Sequence, residues 1–128
     1  MKKDQELIVI TKTYDLILWS CNHTSRFPRN HRFVLGERIE RNLYNLLETL
    51  IQAKYTKNRR LLLERANLTL EILRFQTRLA KDQQCLKTNS YGFASRAIDE
   101  IGRLVGGWIR SRPEGREGSS GTETSGRG

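Results

Sequence analysis

The sequence predicts an all-α protein folded as an up-and-down, antiparallel four-helix bundle. Three observations predict it: four segments whose apolar residues recur at alternating gaps of three and four, short connections between them, and no alternating β-branched stretches typical of strands. Helices of roughly 18 to 28 residues with short connections pack as antiparallel neighbours. We therefore expect residues 1–112 to form one helical domain and residues 113–128 to form a disordered tail rich in glycine and serine.

Apolar stripes define the first two helices. The first stripe begins at Leu7, and Pro28 blocks the helix from continuing. The second stripe begins at Gly36 and is followed by a break at residues 55–58. Because residues at these gaps share one side of a helix, we expect both stripes to face the core. The two stripes comprise Leu7, Ile10, Tyr14, Ile17 and Cys21, and Gly36, Ile39, Leu43, Leu46 and Leu50.

The third and fourth helices follow the same pattern. Asn89 and Ser90 have side-chain oxygens that predict the N-terminal cap of the fourth helix. Most aromatic residues fall on or beside the stripes, so we expect core packing rather than stacking on nucleic-acid bases. The stripes comprise Leu61, Leu68, Ile72, Phe75 and Leu79, and Ala94, Ile98, Ile101, Val105 and Trp108. The aromatic residues in question are Tyr14, Trp19, Phe33, Phe75, Tyr91 and Trp108.

Charge is the strongest functional signal in the sequence. The 128 residues include 23 Lys and Arg against 14 Asp and Glu, a net charge of +9. Residues 1–112 alone carry 21 basic and 11 acidic side chains, a net charge of +10, so the excess belongs to the helical body. Such a body attracts polyanions, and the candidate partners are nucleic acid, an acidic protein surface and anionic lipid.

We expect the basic side chains to contact phosphates, or an acidic surface, along an extended part of the body without reading sequence. Successive turns of an antiparallel bundle lie at opposite ends, so the basic clusters at 26–32 and 54–60 spread the charge over both ends. The predicted contact residues are Arg29, Arg32, Arg38, Arg41, Lys57, Arg59, Arg60, Arg74, Arg78 and Arg103.

Other functional classes find little support. Two cysteines, Cys21 and Cys85, are too few for a disulfide framework, and we expect reduced packing residues. No apolar run reaches the roughly 18 residues of a membrane span, so we expect a soluble, cytoplasmic protein without membrane contact. The sequence has neither a glycine-rich phosphate loop nor clustered metal ligands, and we expect no cofactor, metal or small-molecule substrate.

One enzymatic alternative stays open. Arg26 and His31 form an R-x4-H pattern that resembles the motif of HEPN-type RNases, which are also helical bundles. A histidine acting as acid or base and a charge-stabilising arginine could cleave RNA without a metal ion. Pro28 lies between the two residues here, so they need not share a helix.

Glycines within the fourth helix need a structural reason. Gly102, Gly106 and Gly107 each cost roughly 1 kcal/mol relative to alanine in a helix interior. Gly102 and Gly106 are four residues apart and share a face, which permits close approach of another helix. That approach has two interpretations: tight packing within one bundle, or a contact between subunits.

Three short motifs lie in order along the predicted helices: residues 27–31 (FPRNH) opening the second helix, residues 73–75 (LRF) late in the third, and residues 102–109 (GRLVGGWI) in the fourth. Together they resemble the accessory variability determinant (Avd) family of diversity-generating retroelements. The resemblance covers roughly residues 7–112. Its wider relatives are four-helix proteins encoded in intervening sequences of large-subunit ribosomal RNA genes.

The resemblance implies a basic, barrel-shaped homopentamer that is not itself an enzyme. It implies binding to a reverse transcriptase and to template RNA or DNA, in support of mutagenic cDNA synthesis and retrohoming. Arg74 and Arg78 would lie on the basic surface, whereas Gly102, Gly106 and Trp108 would be structural. The ribosomal-RNA relatives lack the reverse transcriptase, so a ribosomal-RNA-associated protein is the alternative, beside a protein-only scaffold that meets an acidic partner.

Overall fold

Four long helices build the protein, as the sequence predicts. The computed structural model describes residues 2–111, and the predicted tail at 113–128 lies outside the described residues. In chain order the elements are α1 (Lys3–Thr24), α2 (Arg29–His31), a π-helical turn (Arg32–Gly36), α3 (Glu37–Lys54), α4 (Arg60–Asp82) and α5 (Thr88–Arg110). The long helices pack in a closed order, α1 on α3, α3 on α4, α4 on α5, and α5 back on α1. This arrangement confirms the all-α four-helix bundle.

The apolar stripes predicted for α3 and α5 are confirmed. Both bury all five predicted positions, from Gly36 to Leu50 and from Ala94 to Trp108. Trp108 is among the largest fully buried side chains, as expected of a structural residue. Each stripe faces the core because its apolar residues repeat with the helical period and the opposite side is polar.

The stripe predicted for α1 is confirmed only in part, since Ile17 is buried and Ile10 and Cys21 pack half-buried against the core. Leu7 and Tyr14 are 53% and 54% exposed, whereas the preceding residue in each case, Glu6 and Thr13, is buried. The buried face is partly polar, and its polar groups have partners: the Thr13 hydroxyl donates to the Val9 carbonyl at 3.0 Å. Such bonds within the protein replace the hydrogen bonds to water that a buried polar group loses. A partly polar face can therefore be buried, and counting apolar residues does not identify it.

The stripe predicted for α4 is wrong. All five of its residues, Leu61, Leu68, Ile72, Phe75 and Leu79, are exposed. Helix α4 instead buries Leu63, Ala66, Leu70, Leu73, Thr77 and Ala80. Both faces have apolar residues at helical spacing, and α4 must pack against both α3 and α5. Each face has three leucines, but the buried face adds Ala66, Thr77 and Ala80 where the exposed face has Ile72 and Phe75, so both neighbours can approach it closely.

Two smaller predictions need correction. Of the aromatic residues expected in the core, Tyr14, Phe33 and Phe75 are exposed because they lie on faces that the bundle does not cover. The cap predicted at Asn89 and Ser90 is displaced as well. Helix α5 begins at Thr88, and Tyr91 N–H already donates to the carbonyl of Lys87 at 2.8 Å, so the two residues lie within its first turn.

The connection between α1 and α3 is anchored from inside the bundle. Phe27 is buried beneath it, and a Cβ placed on Gly36 would lie 3.5 Å from the Phe27 ring. The Thr24 hydroxyl also donates a hydrogen bond to the Glu40 carboxylate. Arg32 to Gly36 form a π-helical turn, and its wider winding leaves Phe33 and Val34 in solvent while Leu35 is buried. This geometry places the basic residues of the connection around an exposed aromatic ring.

Candidate nucleic-acid interface

Basic residues collect at the end of the bundle where α1 runs into α3. The antiparallel order brings the last turn of α4 and the first turn of α5 to the same end. We define this as the basic end; its cationic residues are Arg26, Arg29, Arg32, Arg38, Arg41, Arg78, Lys81 and Lys87, and its acidic residues are Glu37, Glu40 and Asp82. The resulting surplus of positive charge favours an anionic partner.

Five of the predicted contact residues lie beside carboxylates. Three of these pairs, on Arg41, Arg60 and Arg78, join exposed side chains one helical turn apart. Such surface pairs contribute roughly 0 to 1 kcal/mol, so a phosphate can displace the carboxylate at little cost. The pairs are Arg41–Glu37 at 3.7 Å, Arg59–Glu6 at 3.0 Å, Arg60–Glu64 at 2.9 Å, Arg74 with Glu71 at 2.7 Å and with Asp99 at 3.0 Å, and Arg78–Asp82 at 4.0 Å.

Arg59 has a structural place in the fold. Its guanidinium donates to the buried Glu6 carboxylate, which also lies 3.8 Å from Lys54 Nζ. The same guanidinium lies 5.9 Å from the ring centroid of the buried Trp108. This cluster joins α1 to the connection between α3 and α4, and it holds the Arg59 guanidinium within the bundle.

Arg74 is held across the α4–α5 interface. It donates to Asp99 on α5 and to Glu71 on its own helix, and a Cβ on Gly102 would lie only 2.9 Å from its Nη2. Gly102 therefore makes room for this guanidinium. At Gly106 the nearest atom is Nη1 of Arg110 on the same helix, at 3.3 Å. In the described bundle, the space beside both glycines is occupied by arginine side chains and not by a helix backbone.

The other five predicted contact residues make no ion pair with a carboxylate of residues 2–111. Three of them lie at the basic end, where the Arg32 guanidinium donates to the Ser25 carbonyl at 3.3 Å. Lys57 lies at the opposite end, and Arg103 lies along α5. These five residues are Arg29, Arg32, Arg38, Lys57 and Arg103.

A groove of about 520 Å³ opens beside the π-helical turn. Asn42 on α3 donates a hydrogen bond to Gln76 on α4 at 3.0 Å across it. The lining residues are Phe33, Val34, Glu37, Arg38, Arg41, Asn42 and Gln76. Sequence reasoning identified its two arginines but missed Phe33 as a surface residue, and also missed the two amides. The pairing of Asn42 with Gln76 spans 34 positions, so only the tertiary structure brings them together.

The R-x4-H residues lie in the turn and not along one helix. Arg26 follows α1, whereas His31 is the last residue of α2, and their side chains form no hydrogen bond with each other in the described structure. The other histidine, His23, stacks on Trp19 with 3.8 Å between ring centroids and contacts the Trp19 carbonyl through Nδ1. This ring is packed against its own helix.

Both cysteines are free and half-buried, as expected of packing residues. Cys21 Sγ lies 3.9 Å from the Tyr44 hydroxyl, and this hydrogen bond is the main cause that raises the pKa of Tyr44 above 10.0. Burial raises the pKa of the Cys85 thiol above its ordinary value of 9.0. A raised pKa disfavours the nucleophilic thiolate, so Cys85 does not resemble a catalytic thiol.

Among residues 2–111, no group of His, Cys, Asp and Glu is arranged to hold a metal ion. Over the same part of the chain, every helix is too short or too polar to cross a lipid bilayer.

The comparisons with known proteins give a match at the level of a family. No curated protein matches the chain. The model of the bAvd-like family matches residues 7–112, which include all four long helices except the outermost residues of α1. The protein therefore belongs to the bAvd-like family and is, at the level of that family, an Avd-type accessory protein.

Proposed function

We propose that the protein is a non-enzymatic accessory factor of a diversity-generating retroelement. It binds nucleic acid and the element's reverse transcriptase, and supports mutagenic cDNA synthesis and retrohoming. Family membership supports the accessory role. The observation that carries nucleic-acid binding is the basic end, where Arg29, Arg32 and Arg38 make no ion pair with a described carboxylate.

The partner is a phosphodiester chain engaged through its backbone. Separated arginines on a helical scaffold match a repeating line of phosphates better than they match one small anion. Release of counterions from the polyanion gives such binding a steep salt dependence.

Two triple variants with the same change in charge test the basic end. Replacement of Arg29, Arg32 and Arg38 by Gln removes three cations without an ion pair, whereas replacement of Lys12, Arg60 and Arg74 by Gln removes three that face carboxylates outside the basic end. Affinity for RNA and DNA is measured against salt concentration. We expect the first variant to lose about two to three units of the salt slope and the second to lose less. Equal losses would show that binding depends on the net charge of the protein and not on the basic end. A wild-type protein that binds no nucleic acid would contradict the proposal.

The absence of catalysis is tested separately. The protein is incubated with RNA in EDTA, beside His31→Ala and Arg26→Ala. We expect the RNA to stay intact in every reaction. Cleavage by the wild type that disappears in His31→Ala would instead establish the HEPN-type RNase alternative.

We also propose that the protein assembles with itself through two different apolar faces. One is the exposed stripe of α4 from Leu61 to Leu79. The other lies along α1 and α3, where Leu7, Tyr14 and Tyr44 are exposed. Contacts between two unlike faces are head-to-tail, and such contacts close into rings when the rotation permits. The homopentamer that the family resemblance implies is a ring of this kind.

A further inference from the structure

The groove beside the π-helical turn contains side chains of types that phosphate contact alone does not require. It holds an aromatic ring that is 61% exposed, two arginines and a pair of side-chain amides. We propose that this groove is a binding site for one unstacked nucleotide of a single-stranded RNA or DNA, with its base on Phe33. This inference rests on the proposed nucleic-acid binding and adds a single-strand subsite to it.

Phe33 supplies the stacking surface. A phenylalanine exposed to this degree contributes little to the core, and the π-helical turn holds it on the outside of the bundle. The Arg32 guanidinium lies 5.0 Å from the ring centroid but does not line the groove, so the ring still presents a surface to the groove. Bases stack on aromatic side chains in a sequence-tolerant way, because every base has a flat π-face.

The arginines of the groove supply the phosphate contact. Arg38 has no carboxylate partner among the described residues, and Arg41 is held only by Glu37, 3.7 Å away on the exposed surface. Glu37 lowers the positive charge of the groove, but the two arginines outnumber it. A duplex would present its phosphates here without any unstacked base, whereas a single strand can satisfy the arginines and Phe33 together.

The amide pair suits the edge of a base. Asn42 Nδ2 donates to Gln76 Oε1, which leaves the Asn42 Oδ1 acceptor and the Gln76 Nε2 donor for a ligand. Every nucleobase has an edge with a neighbouring donor and acceptor, so the pair recognises a base without selecting one. RNA and DNA share these features, and the experiment must separate them.

The test compares two exposed aromatic side chains. Phe33→Leu removes the stacking ring at the groove, and Tyr55→Leu removes a ring that is 79% exposed at the opposite end of the bundle. Affinities are measured for short oligouridylate and oligothymidylate strands, for an abasic strand with the same number of phosphates, and for a duplex of equal length. We expect Phe33→Leu to weaken binding of both base-bearing strands about tenfold, with the abasic strand and the duplex unchanged. Phe33→Trp should keep wild-type affinity, and Tyr55→Leu should behave as the wild type.

Each other outcome has a defined meaning. Wild-type affinity of Phe33→Leu for the base-bearing strands, or an equal loss in Tyr55→Leu, would overturn the inference. A fall in molecular mass of Phe33→Leu by light scattering would assign the groove to a second copy of the chain and would also overturn it. If the wild type binds abasic and base-bearing strands equally, the single-strand subsite fails while the proposed function stands. If it binds no nucleic acid at all, the proposed function fails as well. A loss confined to oligouridylate or to oligothymidylate would restrict the site to RNA or to DNA.

Discussion

Glu6 joins the ends of three helices through a single buried carboxylate. Arg59 donates to it at 3.0 Å, and Lys54 lies 3.8 Å away, with all three side chains mostly withdrawn from water. Removing one partner of such a cluster leaves the other charges poorly compensated. We expect Glu6→Gln to lower the free energy of unfolding by about 2 kcal/mol, measured from urea unfolding.

The exposed Lys12–Glu100 pair provides the control. Its atoms are 3.1 Å apart, but both side chains are about 40% exposed. Glu100→Gln should change the free energy of unfolding by less than about 1 kcal/mol, because water screens the pair. Equal effects of the two substitutions would show that burial does not govern the Glu6 cluster.

Gln84 has a backbone conformation that favours glycine. Its φ is 64°, and it follows the C-terminus of α4, where Cys85 N–H donates to the Ala80 carbonyl at 2.7 Å and Gln84 N–H to the Lys81 carbonyl at 2.9 Å. These two bonds form a Schellman motif, whose left-handed residue is usually glycine. We expect Gln84→Gly to raise the free energy of unfolding by about 0.5–1 kcal/mol.

The neighbouring residue is the matched control for Gln84. Gln83 has a φ of −89°, which any residue adopts. Gln83→Gly should therefore lower the thermal unfolding midpoint through added freedom of the unfolded chain, while Gln84→Gly raises it. A lower midpoint for both variants would contradict the strain argument.

At the level of elements, the glycines of α5 differ in what surrounds them. A Cβ on Gly107 would meet Arg110 at 3.9 Å, an ordinary contact, whereas a Cβ on Gly102 would lie 2.9 Å from Arg74. We expect Gly107→Ala to stabilise the protein by about 0.5–1 kcal/mol through helix propensity. Gly102→Ala should gain less, because it displaces the Arg74 guanidinium from Asp99. Thermal unfolding of the two variants measures the difference, and an equal gain would contradict this role of Gly102.

Helices α1 and α4 show what the spacing of apolar residues does not predict. The period of their apolar residues correctly indicated a helix in each case. It did not indicate which face is buried, since α4 has leucines on two sides and α1 buries polar residues that find partners. Local spacing fixes the helix, but the choice of face depends on the helices packed against it.

At the level of the whole molecule, the exposed stripe of α4 bears on assembly. Soluble monomers rarely expose a continuous apolar stripe along a whole helix, and five large apolar residues do so here. We expect Leu68→Lys with Phe75→Lys to convert the assembly to monomers while the helical circular dichroism stays unchanged. Sedimentation velocity measures the mass. The same change in charge at two exposed polar residues outside the stripe, Asn58→Lys with Asn67→Lys, should leave it intact.

Two results would contradict this assignment of the α4 stripe. If the wild type is a monomer at all concentrations, the protein does not assemble with itself. An unchanged mass in the Leu68→Lys, Phe75→Lys variant would show that subunits meet elsewhere. The same variant keeps Arg29, Arg32 and Arg38, so we expect it to bind nucleic acid per subunit at least as tightly as the wild type.

The sequence by itself determined the helical class, the number of long helices, the core faces of α3 and α5, and the basic character of the body. These features depend on the period of the apolar residues, on the residues that end helices, and on the number of charged side chains. Only the tertiary structure decided which faces of α1 and α4 are buried, which arginines are matched by carboxylates, and where Phe33, Asn42 and Gln76 meet. The physical reason is that contacts between residues distant in the chain depend on how helices pack, and a local pattern contains no information about the neighbour that will cover it.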